Sequence, residues 1–75
     1  MHAKDTFGIR LIKAQNRAGL KNYQVCEKID VNSSTYSNWR SSAIGISVPS
    51  LIRLCGALNC SADFLLGLSD KPEIK

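Results

Sequence analysis

Residues 22–41 read NYQVCEKIDVNSSTYSNWRS, and this stretch decides the fold of the chain. Its apolar residues recur at helical spacing on both sides of a short turn, residues 30–32. The pattern predicts one helix over residues 22–29 and a second helix over residues 33–41. The first of these helices carries a small side chain, Cys26, at a position where a crossing helix needs close approach.

The second predicted helix has two unlike sides. Tyr36 and Trp39, three residues apart, form an apolar side that we expect to be buried. The opposite side is polar and uncharged and carries Ser33, Ser34, Ser37, Asn38 and Ser41. A helix that is braced by its neighbour and hydrophilic on its free side is typical of a helix-turn-helix, which places its second helix in a groove of duplex DNA.

Capping residues and apolar periodicity predict three further helices, and no segment alternates with the period of a strand. We expect helices to begin after the caps Thr6, Asn32, Ser47 and Ser61, with Pro49 in the first turn of the fourth helix. We expect helices to end at Gly19, Asp30, Asn59 and Gly67. In the first helix the predicted buried stripe is Phe7, Leu11, Ala14 and Ala18, and the predicted wetter side is Arg10, Lys13 and Arg17.

These elements predict an all-α fold, a compact five-helix bundle that contains a helix-turn-helix. Residues 6–68 are expected to form the single domain. Residues 1–5 are expected to be a flexible N-terminus, and residues 69–75 a disordered C-terminal tail.

The composition bounds the function. A chain of 75 residues is long enough for one domain only. No stretch approaches 18 consecutive apolar residues and no signal peptide is evident, so we expect no membrane partner and a cytoplasmic protein. A formal net charge of +4 favours an anionic partner such as nucleic acid.

The chain lacks the residue sets of common catalytic and metal sites. Its cysteines, Cys26, Cys55 and Cys60, and its only histidine, His2, do not have the spacing of a zinc site. We expect the cysteines to be small buried apolar residues in a reducing compartment. The chain has no Gly-rich phosphate loop and no arrangement of His, Cys and Asp for catalysis, which predicts no metal, no cofactor and no enzymatic activity.

Three runs of sequence carry a resemblance to a known family. They are FGIRL leading to AGL within residues 7–20, VNSSTYSNW at residues 31–39, and LCGALNCSADFLLGLSD at residues 54–70. Through them, residues 7–70 resemble the helix-turn-helix domain of the phage repressor and Cro family, also called the XRE family. The resemblance implies a lambda-repressor-like bundle of five helices that binds double-stranded DNA, usually as a homodimer on a two-fold-symmetric operator.

The resemblance also implies roles for individual residues. The positions that contact bases correspond to Ser33, Ser34, Ser37 and Asn38. The positions that contact the DNA backbone correspond to Lys21, Asn22, Asn32, Arg40 and Ser41. An asparagine can contact adenine with two hydrogen bonds, and the first N–H groups of a helix can hold a phosphate.

The chain departs from the family pattern inside the bundle and in one loop. Gln15 and Arg40 stand where the family often has an internal arginine–glutamate ion pair, so Arg40 is free either to contact phosphate or to hydrogen-bond Gln15. The loop at residues 42–46 carries no charge, although this loop is typically basic in the family. Aliphatic side chains stand where polar ones are expected: Ile9, Ile12, Ile44 and Ile46.

Two hypotheses of different class follow. The first is a sequence-specific, double-stranded DNA-binding transcriptional regulator of repressor or Cro type. The alternative is a modulator with the same fold that binds another protein, such as a phage repressor, through an apolar surface containing the four isoleucines. A loop isoleucine can instead fold onto the core, which would reduce that surface.

Overall fold

The computed structural model describes residues 6–41 and 46–73, and these residues form five helices and no strand. The helices are α1 (Phe7–Ala18), α2 (Asn22–Ile29), α3 (Ser33–Ser41), α4 (Val48–Leu58) and α5 (Ala62–Leu66). The all-α bundle predicted from the sequence is confirmed, and the helices begin and end at the predicted residues. Within the described ranges, no helix is long and apolar enough to span a membrane.

Local side-chain and backbone chemistry accounts for these boundaries. Each predicted cap accepts a hydrogen bond from a backbone N–H three residues later: Thr6 from Ile9 (3.3 Å), Asn32 from Thr35 (2.8 Å), Ser47 from Ser50 (3.2 Å) and Ser61 from Phe64 (3.1 Å). Four helices end at a residue in the left-handed conformation: Gly19, Asp30, Asn59 and Gly67. Asp and Asn enter this region more readily than most residues, so Asp30 and Asn59 can replace glycine there.

The hydrophobic core lies between all five helices. Its buried members are Leu11, Ala14, Val25, Cys26, Ile29, Tyr36, Trp39, Leu54, Leu58, Cys60, Phe64 and Leu65. The predicted burial of Tyr36 and Trp39 on α3 is confirmed, and the buried sides of α2 and α5 consist of Val25, Cys26 and Ile29 and of Phe64 and Leu65. In α4, Leu54 and Leu58 are buried, whereas Leu51 and Cys55 are half-buried and pack against the core.

The position predicted for Arg10 is wrong. Arg10 is 1% exposed, and its guanidinium donates to the backbone oxygens of Phe64 (3.0 Å) and Ser69 (2.8 Å). It also contacts the Asp70 carboxylate at 3.2 Å and stacks over the Phe64 ring at 4.9 Å from its centroid. The helical pattern of α1 could not indicate this, because the carbonyls that accept from Arg10 come from the other end of the chain.

The first residues of the expected C-terminal tail lie against the bundle. Besides the contacts with Arg10, the Ser61 N–H donates to the Pro72 carbonyl at 2.8 Å and the Ser61 hydroxyl donates to the Lys71 carbonyl at 3.3 Å. Residues 69–72 therefore form a docked segment, whereas the sequence predicted a disordered tail over residues 69–75. The remaining two tail residues and the predicted flexible N-terminus, residues 1–5, lie outside the described ranges.

Helices α1 and α3 approach each other closely at Gly8. A Cβ atom built on Gly8 would overlap the carbonyl oxygen of Arg40 and lie 2.7 Å from its carbonyl carbon. Both clashing atoms belong to the α3 backbone and cannot be moved by a side-chain rotation. This position therefore accepts glycine only, and the close approach fixes how α3 sits on α1.

We expect Gly8→Ala to lower the free energy of unfolding by about 2 kcal/mol, because the added methyl group forces the two helix backbones apart. The matched control is Gly56→Ala in α4, where an added Cβ meets no atom within 4 Å. There the higher helix propensity of alanine should raise the stability by about 0.5–1 kcal/mol. Urea denaturation of both variants tests this pair, and equal effects of the two substitutions would contradict the described crossing.

Candidate nucleic-acid interface

Two aromatic anchors set the orientation of α3. Tyr36 is 1% exposed and Trp39 is 4% exposed, and their rings meet edge to face with centroids 6.4 Å apart. Because both anchors point into the core, the opposite side of the helix is turned to solvent. The exposed residues of that side are Ser33, Ser34, Ser37 and Asn38.

The start of α2 meets the exposed side of α3. Asn22 lines one shallow, open depression together with Ser33, Ser34, Ser37 and Asn38. The structure therefore brings the predicted base-contacting residues and one predicted backbone-contacting residue onto a single surface. The side chains of this surface are neutral donors and acceptors of hydrogen bonds.

The other predicted backbone-contacting residues do not line this depression. Lys21 is exposed immediately before α2, and Asn32 caps α3. Ser41 is exposed and donates its hydroxyl hydrogen bond to the Ser37 carbonyl at 3.2 Å. Arg40 is half-buried, and its Nε atom is buried with no hydrogen-bond partner among residues 6–41 and 46–73.

A buried polar network, which the sequence analysis did not find, connects α1, α2 and α3. Gln15 is 7% exposed, and its Nε2 donates to the Leu20 carbonyl at 3.1 Å and to Asn22 Oδ1 at 2.7 Å. Its Oε1 accepts from the Tyr36 hydroxyl at 2.6 Å. Burial raises the pKa of Tyr36 to about 12, although the nearby positive charge of Arg40 acts in the opposite direction. The phenol is therefore protonated at neutral pH and can donate.

One of the two alternatives for Arg40 is not found in the described part of the chain. The Gln15 oxygen accepts from the Tyr36 hydroxyl, and no hydrogen bond joins Gln15 to Arg40. A phosphate contact of Arg40 stays a prediction. No local pattern in the sequence indicates this network, because Gln15 and Tyr36 are 21 residues apart and meet only where α1 and α3 cross.

The isoleucines of the alternative hypothesis differ in exposure where the structure describes them. Ile9 is 41% exposed and Ile12 is half-buried. Ile46 is half-buried and packs against the core, as expected for a loop isoleucine that folds onto it. Ile44 lies outside the described residues.

Other aliphatic side chains are more exposed than these, and the sequence analysis did not single them out. Val48 and Ile52, four residues apart on α4, are 69% and 66% exposed. Leu66 and Leu68, at the end of α5 and just after it, are 53% and 71% exposed. The helical spacing of Val48 and Ile52, beside and outside the buried stripe of α4, was a signal that could have found the first pair.

The cysteines are free thiols within the bundle. Cys26 and Cys60 are buried, as predicted, and Cys55 is half-buried. Burial raises the pKa of all three thiols, and that of Cys60 to about 12. Such thiols are poor nucleophiles at neutral pH. In the described ranges no three His, Cys, Asp or Glu residues cluster so that they could hold a metal ion.

Comparison with known proteins agrees with this geometry. A helix-turn-helix family model matches residues 11–65, which include all of α2 and α3. A crystal structure of the P22 c2 repressor protein in complex with synthetic operator 9T in the presence of Tl+ has a TM-score of 0.76 with this chain. The two chains are 23% identical, and the match covers 85% of this chain and 97% of the other. No curated protein sequence matches the chain.

The match of the family model extends over most of the chain and includes the turn and both helices that form the depression. The five-helix arrangement is that of the P22 c2 repressor structure, which agrees with the repressor-like bundle expected from the sequence. The chain belongs to the helix-turn-helix family.

Proposed function

We propose that this protein is a sequence-specific, double-stranded DNA-binding transcriptional regulator of repressor or Cro type, which acts in the cytoplasm. The observation that carries the proposal is the single depression shared by Asn22 and the exposed side of α3. It joins a helix N-terminus, which favours a phosphate, to a hydrophilic helix that can enter the major groove. The fold shared with a repressor crystallised on a synthetic operator supports the same reading.

In this proposal the exposed side of α3 contacts base edges. The amide of Asn38 can donate to and accept from one adenine, which is the commonest pairing for this side chain. Ser33, Ser34 and Ser37 can each donate and accept, so they can contact several bases. All four side chains are exposed in the free protein, and no large rearrangement is needed to reach a groove.

The proposed backbone contacts surround α3 and set its register on the duplex. They come from Lys21, Asn22, Asn32, Arg40 and Ser41. Lys21 is an exposed cation next to the N-terminus of α2 and supplies charge, whereas Asn22 and Asn32 supply neutral hydrogen bonds.

Occupation of an operator that overlaps a promoter would repress transcription, and this activity requires no catalytic residue and no cofactor.

We also propose that the chain binds its operator as a homodimer. One domain with a net charge of +4 would hold a single half-site weakly, and two-fold pairing doubles the contacts. The dimer interface is expected at the end of α5. Leu66 and Leu68 lie there beside the docked C-terminal segment, and both are more than half exposed.

A protein-binding modulator is the second candidate. Val48 and Ile52 favour it, since two large aliphatic side chains more than 60% exposed on one side of α4 are suited to an apolar interface. The absence of charge on the exposed side of α3 favours it as well. Salt dependence separates the candidates: about six phosphate contacts predict a log–log slope near −5, and an apolar interface predicts little slope.

The base-reading role of Asn38 predicts a selective loss. Asn38→Ala should weaken binding to an operator selected from random sequence by about 1–3 kcal/mol and leave binding to random duplex nearly unchanged. Fluorescence anisotropy with both duplexes measures this. The control is Asn16→Ala, an exposed asparagine on α1 that does not line the depression, which should keep the wild-type preference. Equal losses on both duplexes would remove Asn38 from the base-reading set.

The backbone role of Lys21 predicts a uniform loss. Lys21→Ala should weaken binding to every duplex alike and reduce the salt slope by about one unit, because one phosphate contact is lost. Lys28→Ala is the control, since Lys28 is an exposed cation at the end of the same helix, in a separate depression with Arg17 and Asn59. An unchanged slope in Lys21→Ala, or an equal reduction in Lys28→Ala, contradicts the assignment.

If the chain binds as a homodimer, its complex with operator-length DNA should weigh about 16 kDa more than the duplex alone, twice the 8.2 kDa of one chain. Light scattering of the complex measures the stoichiometry. Leu68→Lys should lower the bound mass towards the 8.2 kDa of one chain and weaken operator binding. A monomer at high concentration, both with and without operator, would end this part of the proposal.

A further inference from the structure

The hydrogen bonds of Gln15 determine which atoms its amide presents. A backbone carbonyl only accepts, so the Gln15 atom 3.1 Å from the Leu20 oxygen must be the amide nitrogen. The same nitrogen lies 2.7 Å from the Asn22 side chain, and an N–H there requires an acceptor. The Asn22 atom that faces Gln15 is therefore its oxygen, Oδ1.

This leaves the Asn22 amide nitrogen for an outside partner. Nδ2 makes no hydrogen bond to the described residues, and Asn22 is an exposed residue that lines the depression beside α3. A phosphate oxygen only accepts hydrogen bonds, so an asparagine in the reverse orientation would present its own oxygen to the phosphate and repel it. The orientation that Gln15 selects is the one that suits an anionic acceptor.

Gln15 is itself held from the α3 side. The Tyr36 hydroxyl donates to Gln15 Oε1 at 2.6 Å, and both residues are less than 10% exposed. Protonation of the phenol at neutral pH keeps this donor available. One chain of hydrogen bonds thus runs from the buried anchor of α3, through α1, to the first residue of α2.

We infer that Gln15 is a positioning residue for DNA binding, which orients the Asn22 amide so that its N–H groups contact a phosphate of the backbone. This inference rests on the proposed function, in which Asn22 contacts the DNA backbone. Gln15 does not touch the DNA. Its contribution is that the free protein already holds the Asn22 side chain in the bound orientation, so binding does not have to select it.

The variants that test this separate Gln15 from its neighbours. Gln15→Met keeps the length of the side chain and removes both the donor to Asn22 and the acceptor for Tyr36. Ser61→Ala is the matched control, since it removes the hydrogen bonds by which Ser61 caps α5 and contacts Lys71, does not alter the depression and leaves the bonds of Gln15 in place. Asn22→Ala and the double variant Gln15→Met/Asn22→Ala complete a cycle. Circular dichroism sets a temperature at which every variant is folded.

Anisotropy with random-sequence duplex at low salt then gives the affinities. Asn22→Ala should weaken binding about 5- to 10-fold, the loss of one charge-assisted hydrogen bond. Gln15→Met should weaken it by most of that factor, the double variant should be no weaker than Asn22→Ala alone, and Ser61→Ala should bind within about twofold of wild type. Wild-type affinity in Gln15→Met, losses that add in the double variant, or an equal loss in Ser61→Ala would each overturn the positioning role.

The unmodified protein supplies a second test, which remains valid where Gln15→Met does not fold. In NMR spectra of the ¹⁵N-labelled protein, the Gln15 side-chain amide should show cross-peaks to the Asn22 side chain before any DNA is added. Added duplex should shift the Asn22 side-chain amide and leave that of Gln15 nearly unchanged. If the protein binds duplex but the Asn22 side-chain amide resonance does not shift, the inference is wrong and the proposed function is unaffected. If the wild-type protein does not bind duplex, the proposed function is wrong as well.

Discussion

The whole arrangement depends on how α3 is anchored, because this helix has only two apolar side chains with which to attach itself to the bundle. Tyr36 and Trp39 are both buried, and every other side that α3 offers is polar. A nine-residue helix of this composition would not be stable by itself in water. Its stability comes from the core, and its free side is hydrophilic because the anchors occupy one side only.

Helix α1 supplies the surface on which α3 sits. Gly8 and Gln15 are seven residues apart, two helical turns, and therefore lie on one side of α1. Gly8 admits the backbone of Arg40, and Gln15 accepts from the Tyr36 hydroxyl. A small residue at one end and an amide at the other thus fix both the distance and the rotation of α3. The same amide contacts Asn22, so the two parts of the proposed DNA surface are positioned by one side of one helix.

The sequence predicted what local chemistry controls. Caps such as Asn32 and left-handed helix ends such as Asp30 act within a few residues, so the helix boundaries followed from the sequence alone. The shared side of Ser33, Ser34, Ser37 and Asn38 follows from the helical repeat, and Tyr36 and Trp39 indicated which side would be buried. The resemblance to repressors added Asn22 to the predicted DNA-contacting residues. No spacing rule would have placed Asn22 beside the exposed side of α3.

Contacts between distant parts of the chain were not predictable in this way. Arg10 was expected in solvent because its position in the helical pattern is polar, yet carbonyls from Phe64 and Ser69 surround it. Residues 69–72 are docked through these contacts of Arg10 and through the hydrogen bonds of Ser61. Gly8 and Gln15 gave no local signal of their partners, because those partners are on α3 and are reached only after the helices cross. The exposure of Leu68, which lies just after the last helix, likewise depends on what the fold leaves uncovered.

The central claim is that the start of α2 and the exposed side of α3 form one DNA-binding surface. Titration of ¹⁵N-labelled protein with random-sequence duplex at low salt, followed by NMR, tests it most directly. We expect shifts confined to Lys21, Asn22 and residues 32–41, with the end of α4 unaffected. Unchanged resonances there, or shifts centred on Ile52 and Leu66, would contradict the claim and favour a protein partner.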